Sequence, residues 1–374
     1  MNYLPSLSQW QQARNRPSLR SSAMATLITL LLAMAYISLG TGAVDVAPDT
    51  IESLLLDRVL GDFGYTSTLD YDDRFVMRDQ SLILDIRLPR VILVAMVGAT
   101  LALAGTALQG IFRNPLAAPG LIGVSSGAAV GAITSVMAGW TFGTWVDDIS
   151  GITGERLMQS MIAFIAGLAT TLLVYRLAYR QRHTSGSTIL LIGLAINTMA
   201  SAYIGLATFI AGQAEVGDIT FWTLGSAAGT FWSDVYLMLP MVIAGGIGFP
   251  FLANRINLLA LGESEARYLG IPVEQLRLFT MAGSAILIGA GVSMVGIIGF
   301  VGLVVPHVMR FLFGPDHRTL FPMSMIGGAL FLLLADLLAR IATPPTEVPL
   351  GVITALVGGP FFLGLILVYR DGID

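Results

Sequence analysis

Residues 87–124 read RLPRVILVAMVGATLALAGTALQGIFRNPLAAPGLIGV. Between Arg90 and Arg113 the run carries no charge. A helix needs about 20 apolar residues to cross the hydrocarbon core of a bilayer. After Arg113 come Pro115, Pro119 and Gly120, and a second apolar run starts at once. Pro and Gly break a helix. The stretch therefore predicts a spanning helix, a break at one membrane surface, and immediate re-entry. Non-helical backbone at that depth is tolerated where it lines a cavity or packs in protein; an ordinary tight turn is the plainer alternative.

Outward from this segment the pattern repeats. Stretches free of Asp, Glu and Arg run over 21–44, 91–112, 114–146, 157–175, 183–214, 219–233, 235–254, 278–309, 319–335 and 348–369. The stretch 219–233 is short and polar, with Thr220, Thr223, Ser226 and Thr230, and reads as a half-length or interfacial helix. The stretch 278–309 is too long for one span, and Gly296, Gly299 and Gly302 divide it into two helices. The expected fold is an all-α polytopic membrane protein of about ten transmembrane helices. Residues 1–23 form a cytoplasmic tail, and 24–370 a single transmembrane domain. Within that domain, 45–86 is a long acidic outer loop, helical around 48–60 and without a core of its own.

Composition agrees. The chain is 55% hydrophobic and 12% charged, with mean hydropathy +0.77; soluble domains carry about 25% charged residues. There is no Cys, so disulfides and thiolate chemistry are excluded. There is no Lys either, and all 20 basic residues are Arg. A phosphate-binding Walker loop needs its Lys, so any nucleotide energy must come from another chain. His183, His307 and His317 show no metal-ligand spacing. No catalytic residue, metal site or nucleic-acid-binding feature emerges.

With the N-terminus inside, 13 of the 20 Arg fall on inner segments and 7 on outer ones. Of the 24 acids, 17 lie outside, 6 inside, and Asp336 within a span, giving +7 inside and -10 outside. Arg enrichment inside fits the positive-inside rule, so both termini are expected in the cytoplasm. The first apolar run is too long for a signal-peptide core, and no clear small-x-small cleavage site precedes a soluble domain.

Four sites stand out. Arg87 and Arg90 flank Pro89 at the outer end of the second span, as membrane-surface anchors or as cationic forks for carboxylates. Asp336 and Arg340 have i, i+4 spacing and read as an ion pair, with Arg340 reaching the outer surface. Gly123, Gly127 and Gly131 form a small-residue helix face, which most often means close packing. Leu261 to Pro272 reads as a short amphipathic inner helix between Gly262 and Gly270. There Leu261, Ala266 and Leu269, with Glu263, Glu265 and Arg267, present one face to a soluble partner or form a solvated connector, the default for a charge cluster of this size.

These residues resemble a known family. Arg87-Leu88-Pro89-Arg90, Gly105, Gln109, Asn114-Pro115-Leu116 and Pro119 to Val124 resemble the iron-chelate, haem and cobalamin uptake permeases of ABC importers. So do Gly299 to His307, Gly314-Pro315-Asp316-His317-Arg318 and Ala335-Asp336. The likeness spans roughly 24–370, and Asn114 to Gly131 is most similar to the haem branch.

The resemblance implies a type II ABC importer permease fold that homodimerises in a bacterial inner membrane. Two ATP-binding subunits would sit below, carrying ATP and Mg, and a periplasmic substrate-binding protein would dock above. The chain itself would hold no cofactor, and haem or another iron chelate would be its cargo. Arg87, Arg90 and Arg340 match outer arginines that receive the binding protein. Gly262, Glu263, Glu265, Ala266, Arg267, Leu269 and Gly270 match the coupling helix. Asn114 and Leu116, with Ser187 and Thr188, match two gates. Asn197, Ser201 and Tyr203 would line the path. Ferric siderophores and cobalamin are the alternative cargoes. A secondary transporter driven by an ion gradient is the reading from another class, and it would place ion ligands at mid-membrane. The acidic loop 45–86 is longer than the family pattern.

Overall fold

In a computed structural model, residues 17–60, 69, 73–141, 154–179, 186–344 and 346–370 are described. The regular elements among them are all helical. They are α1 (Pro17–Gly40), α2 (Pro48–Leu60), α3 (Arg74–Gln80), a π-helical segment (Ser81–Arg87) and α4 (Leu88–Phe112). A 3-10 turn (Pro119–Ile122) leads to α5 (Val124–Ala138), followed by α6 (Gly154–Tyr179), α7 (Gly186–Ile210), α8 (Gln213–Leu224) and α9 (Trp232–Leu259). Then come α10 (Glu263–Tyr268), α11 (Val273–Val295), α12 (Val301–Phe313), α13 (His317–Ala342) and α14 (Leu350–Arg370). Among the described residues, seven helices are long and apolar enough to span a bilayer, and α5, α12 and the first part of α14 are shorter apolar helices. Together they make the polytopic helical fold of about ten spans.

Helix α4 is the hub. It is buried along most of its length and packs against α9, α11, α12 and α13. Small residues permit this: a methyl group on Gly98 would lie 2.2 Å from the Gly328 carbonyl oxygen, and one on Gly328 would lie 2.2 Å from that of Gly98. Where α4 meets α12, a methyl on Gly105 would lie 1.9 Å from the Gly302 carbonyl oxygen. Backbone thus touches backbone, the arrangement that small residues allow between helices in lipid. Gly127 and Gly131 do the same for α5 against α6, meeting Thr170, Ala166 and Ile162.

The expected division of 278–309 is present, with α11 ending at Gly296 and α12 starting at Val301. The short helix expected in the polar stretch lies earlier, as α8. Two differences are informative. Helix α1 begins at Pro17, inside the segment read as a tail; residues 1–16 lie outside the described residues. The second spanning helix begins at Arg74, far upstream of the apolar run, because the π segment joins α3 to α4 without a break. Its wider turn places Ile83 and Arg87 on one buried face and leaves Asp85 exposed. Ile51 and Leu54 of the outer region are about 1% exposed and join the main apolar core. Part of 45–86, namely 61–68 and 70–72, lies outside the described residues.

Candidate functional site

Where the C-terminal ends of α1 and α13 meet the start of α4, three guanidiniums converge. Arg90 donates from Nε and Nη2 to Asp336 Oδ1 at 3.0 and 2.8 Å. It also donates to both oxygens of Glu347, at 2.9 and 2.8 Å. Asp336 in turn pairs with Arg340, Nε to Oδ2, at 3.1 Å. Arg340 also donates to the Ser38 and Thr41 carbonyl oxygens at 3.0 Å and to the Ser38 hydroxyl. Arg87 donates to the Leu39 carbonyl at 2.6 Å and to that of Val44.

The last turn of any helix leaves carbonyls without an intrahelical partner, at the negative end of its dipole. Arg87 and Arg340 supply donors and positive charge to the end of α1. Arg90 and Arg340 balance Asp336, which is fully buried, and the part-exposed Glu347. A buried carboxylate is stable only when paired and hydrogen-bonded.

All three guanidiniums are engaged within the chain. Arg87, Arg90 and Arg340 are 5%, 8% and 6% exposed, and Arg340 does not reach open surface. Asp336 serves Arg90 as well as its i, i+4 neighbour. Glu347 was not singled out from sequence. Its only signal was a lone acid in a Pro-flanked stretch, Pro344 to Pro349.

The proposed path residues lie on α7 facing α5. Asn197 accepts from the Ser126 hydroxyl at 2.6 Å and donates to the Gly120 carbonyl at 2.9 Å. Tyr203 and Thr134 share a hydrogen bond of 2.7 Å. Ser201 is exposed on the same helix. A cavity of about 280 Å³ opens beside Tyr203, bounded by Thr134, Met137, Leu206 and Ile210. Ser126 and Thr134 were missed because hydroxyls on a Gly-rich helix usually bond back to their own carbonyls.

At the C-terminal end of α4, Arg113 takes a left-handed conformation (φ 50°) and closes the helix. Asn114 Oδ1 then accepts from the Leu116 amide at 2.9 Å, a side-chain-stabilised turn. Leu116 is 39% exposed. The start of α7 lies against this turn, since a methyl on Gly186 would come within 3.1 Å of Phe112. Ser187 and Thr188 follow Gly186 in the first turn of α7, while residues 180–185, His183 among them, lie outside the described residues. His317 is held by Asn257, ring to amide oxygen at 2.7 Å and backbone to the same oxygen at 3.0 Å. Asp316 caps α13 by accepting from Arg318 N at 3.1 Å.

The inner helix α10 is built between two glycines with positive φ, Gly262 at 143° and Gly270 at 80°. The Gly270 amide donates to Arg267 O and the Ile271 amide to Ala266 O, both at 2.9 Å, the bonding of a left-handed helix stop. Arg267 pairs with Glu274, and Glu263 with the buried Arg277. The pairing with Glu274 holds the Arg267 pKa above its usual value. The Glu265 carboxyl, bonded by its own backbone amide and by the Ser264 hydroxyl, is held below the usual range. The exposed apolar groups are Leu261, Tyr268 and Leu269, at 65%, 92% and 57%. Ala266 is fully buried against the chain itself, so it supports the helix and does not face a partner.

Comparison with known proteins now decides the family. Residues 30–368 match the profile of the FecCD transport family. The chain belongs to that family. It is 42% identical over 288 residues to the hemin transport system permease protein HmuU of Yersinia pestis, covering 77% of this chain and 84% of that protein. It is 37% identical over 350 residues to the cobalamin import system permease protein BtuC of Halobacterium salinarum, covering 93% and 89%. A solved inward-facing structure of a metal-chelate type ABC transporter shares the fold, with TM-score 0.75 and 31% identity over 94% of this chain and 99% of that one. This FecCD member is therefore a multi-pass permease subunit of an ABC importer. It is a transport subunit and not an enzyme, and ATP hydrolysis belongs to a separate chain.

Proposed function

We propose that two copies of this chain form the membrane path of a haem importer in a bacterial inner membrane, with both termini in the cytoplasm. Two ATPase subunits, which bind ATP and Mg, dock on the inner face, and a periplasmic binding protein delivers cargo from outside. The 42% identity to a hemin permease supports haem as cargo. The observation that carries the path assignment is the α5–α7 face. There Asn197 and Tyr203 meet Ser126 and Thr134, and Tyr203 borders the cavity lined by the apolar Met137, Leu206 and Ile210. A mostly apolar surface with a few fixed polar groups suits a large flat cargo such as a porphyrin.

The mechanism is alternating access. ATP binding closes the ATPase dimer. Helix α10 carries that movement into the spans through the Arg277–Glu263 pair and the start of α11. Asn114, Leu116, Ser187 and Thr188 form the inner closure. Ligand-dependent coupling arises only from differential binding to the two states.

For Arg87, Arg90 and Arg340 we retain binding-protein docking as the proposal. Glu347, with 34% of its side chain exposed, is the accessible member of the network. A partner's carboxylate could replace it on Arg90. Cobalamin is the second reading, favoured by the relative that matches 93% of the chain. The test is ATPase stimulation: the assembled permease–ATPase complex should respond to binding protein loaded with haem and not to cobalamin-loaded protein.

A further inference from the structure

The last turn of α9, the start of α13 and the end of α4 meet at one buried side chain, His317. Asn257 of α9 fixes its ring. The Asn257 amide nitrogen donates to Asp316 Oδ1 at 2.7 Å. Its Oδ1 is then the acceptor for the His317 backbone N–H at 3.0 Å and for ring Nδ1 at 2.7 Å. An acceptor there requires the proton on Nδ1, so the lone pair sits on Nε2. Nε2 is buried and has no hydrogen-bond partner among the described residues. It rests on α4, where a methyl on Gly110 would lie 2.6 Å from it. Phe321 packs edge-on against the same ring, with centroids 5.4 Å apart.

Both sides of this contact lead to parts that move in the proposed cycle. Asn257 lies in the last turn of α9. Beyond it the Ala260, Leu261 and Gly262 amides donate back to Ile256 O, Leu258 O and Leu259 O, so α10 follows α9 without slack. On the other side, Gly110 O accepts from Arg113 N at 3.2 Å as α4 closes, and Asn114 follows directly. The Glu265 carboxyl of α10, held low first by its own backbone amide, also senses the charge of Arg113. Close-packed interiors are barely compressible and transmit strain. A ring bonded to α9 and pressed on α4 therefore links the two. We infer that His317 and Asn257 are positioning residues for the inner closure: they form a joint that passes movement of α10 and α9 to the end of α4. It acts beside the Arg277–Glu263 route into α11, and it rests on the alternating-access reading above.

Two substitutions divide the joint. His317→Asn keeps a donor at the Nδ1 position for Asn257 but removes the ring edge that touches Gly110. His317→Gln keeps a group at the Nε2 position but loses the donor to Asn257. The test uses the full complex with its ATPase and binding protein in proteoliposomes. Uptake of haem, cobalamin and a ferric siderophore is measured, and the uptake found is divided by the ATP hydrolysed. Each His317 variant should lower that ratio at least threefold. Asn257→Ala should do the same, and adding His317→Gln to it should lower the ratio no further, because the two act through one bond. Loss of folding alone lowers yield and thermal stability, and leaves the ratio of the surviving complexes unchanged. A loss of less than threefold in either His317 variant, or losses that multiply in the double variant, overturns the joint and leaves the transport reading in place. A parent complex that takes up none of the three cargoes overturns that reading and the joint with it.

Discussion

Arg90 and Asp336 lie 246 residues apart in sequence and share two hydrogen bonds, at 3.0 and 2.8 Å. They join the outer end of α4 to α13, with Asp336 fully buried. Removing the partner of a buried charge costs about 3–5 kcal/mol. Arg90→Gln should therefore destabilise the folded chain by an amount in that range, read by unfolding in detergent. Glu347→Gln should cost about 1 kcal/mol or less, because its carboxylate is part-exposed. Equal losses for the two would contradict the hierarchy.

If Glu347 holds the place of a partner's carboxylate, the same substitution has a second effect. Glu347→Gln should tighten binding-protein association, since the competitor on Arg90 is weakened. A surface-binding titration with the cognate binding protein reads this. Weaker association would mean that Glu347 is itself part of the docking surface.

Gly98 and Gly328 meet backbone to backbone, and a methyl on either would lie 2.2 Å from the other's carbonyl oxygen. Gly98→Val should force α4 and α13 apart. Overpacking costs about 1–3 kcal/mol at ordinary sites, and here the clash is with backbone. A loss of at least that size in thermal stability is expected; wild-type stability would show that the helices do not pack as described.

On α10, Tyr268 is 92% exposed and Ala266 fully buried. Tyr268→Ala should leave the fold intact but reduce assembly with the ATPase, measured by co-purification. Ala266→Leu should lower stability first. If Tyr268→Ala assembles and couples normally, the partner surface of α10 lies elsewhere.

On α7, Tyr203→Phe removes one hydrogen bond to Thr134 while keeping the ring. A hydrogen bond contributes about 1 kcal/mol, so stability should change little. Transport rate should fall several-fold if the hydroxyl also orients cargo. An unchanged rate would leave Tyr203 as packing alone.

The spans were legible because an apolar run of membrane length has few soluble counterparts. The inner helix was legible too, since Gly262 and Gly270 mark its ends. The Asp336–Arg340 pair followed from i, i+4 spacing. Arg90–Asp336 and Glu347 did not, because no local period links residues on different helices. Nor does sequence reveal that Arg87 and Arg340 serve the carbonyls at the end of α1. That depends on how α1 crosses its neighbours. Orientation of α10 was half legible: six residues are too few for a periodicity that separates Ala266 from Tyr268. The early start of the second spanning helix was hidden because Arg74, Arg78, Asp79 and Asp85 mask a continuous helix when only charge-free stretches are read.

The most direct test of the central claim is cargo uptake by proteoliposomes holding this chain, its ATPase and its binding protein. Haem should accumulate only with ATP and with both partners present, and faster than cobalamin or a ferric siderophore offered under the same conditions. Uptake of cobalamin or siderophore in preference to haem, or haem uptake that persists without ATP, would contradict the account.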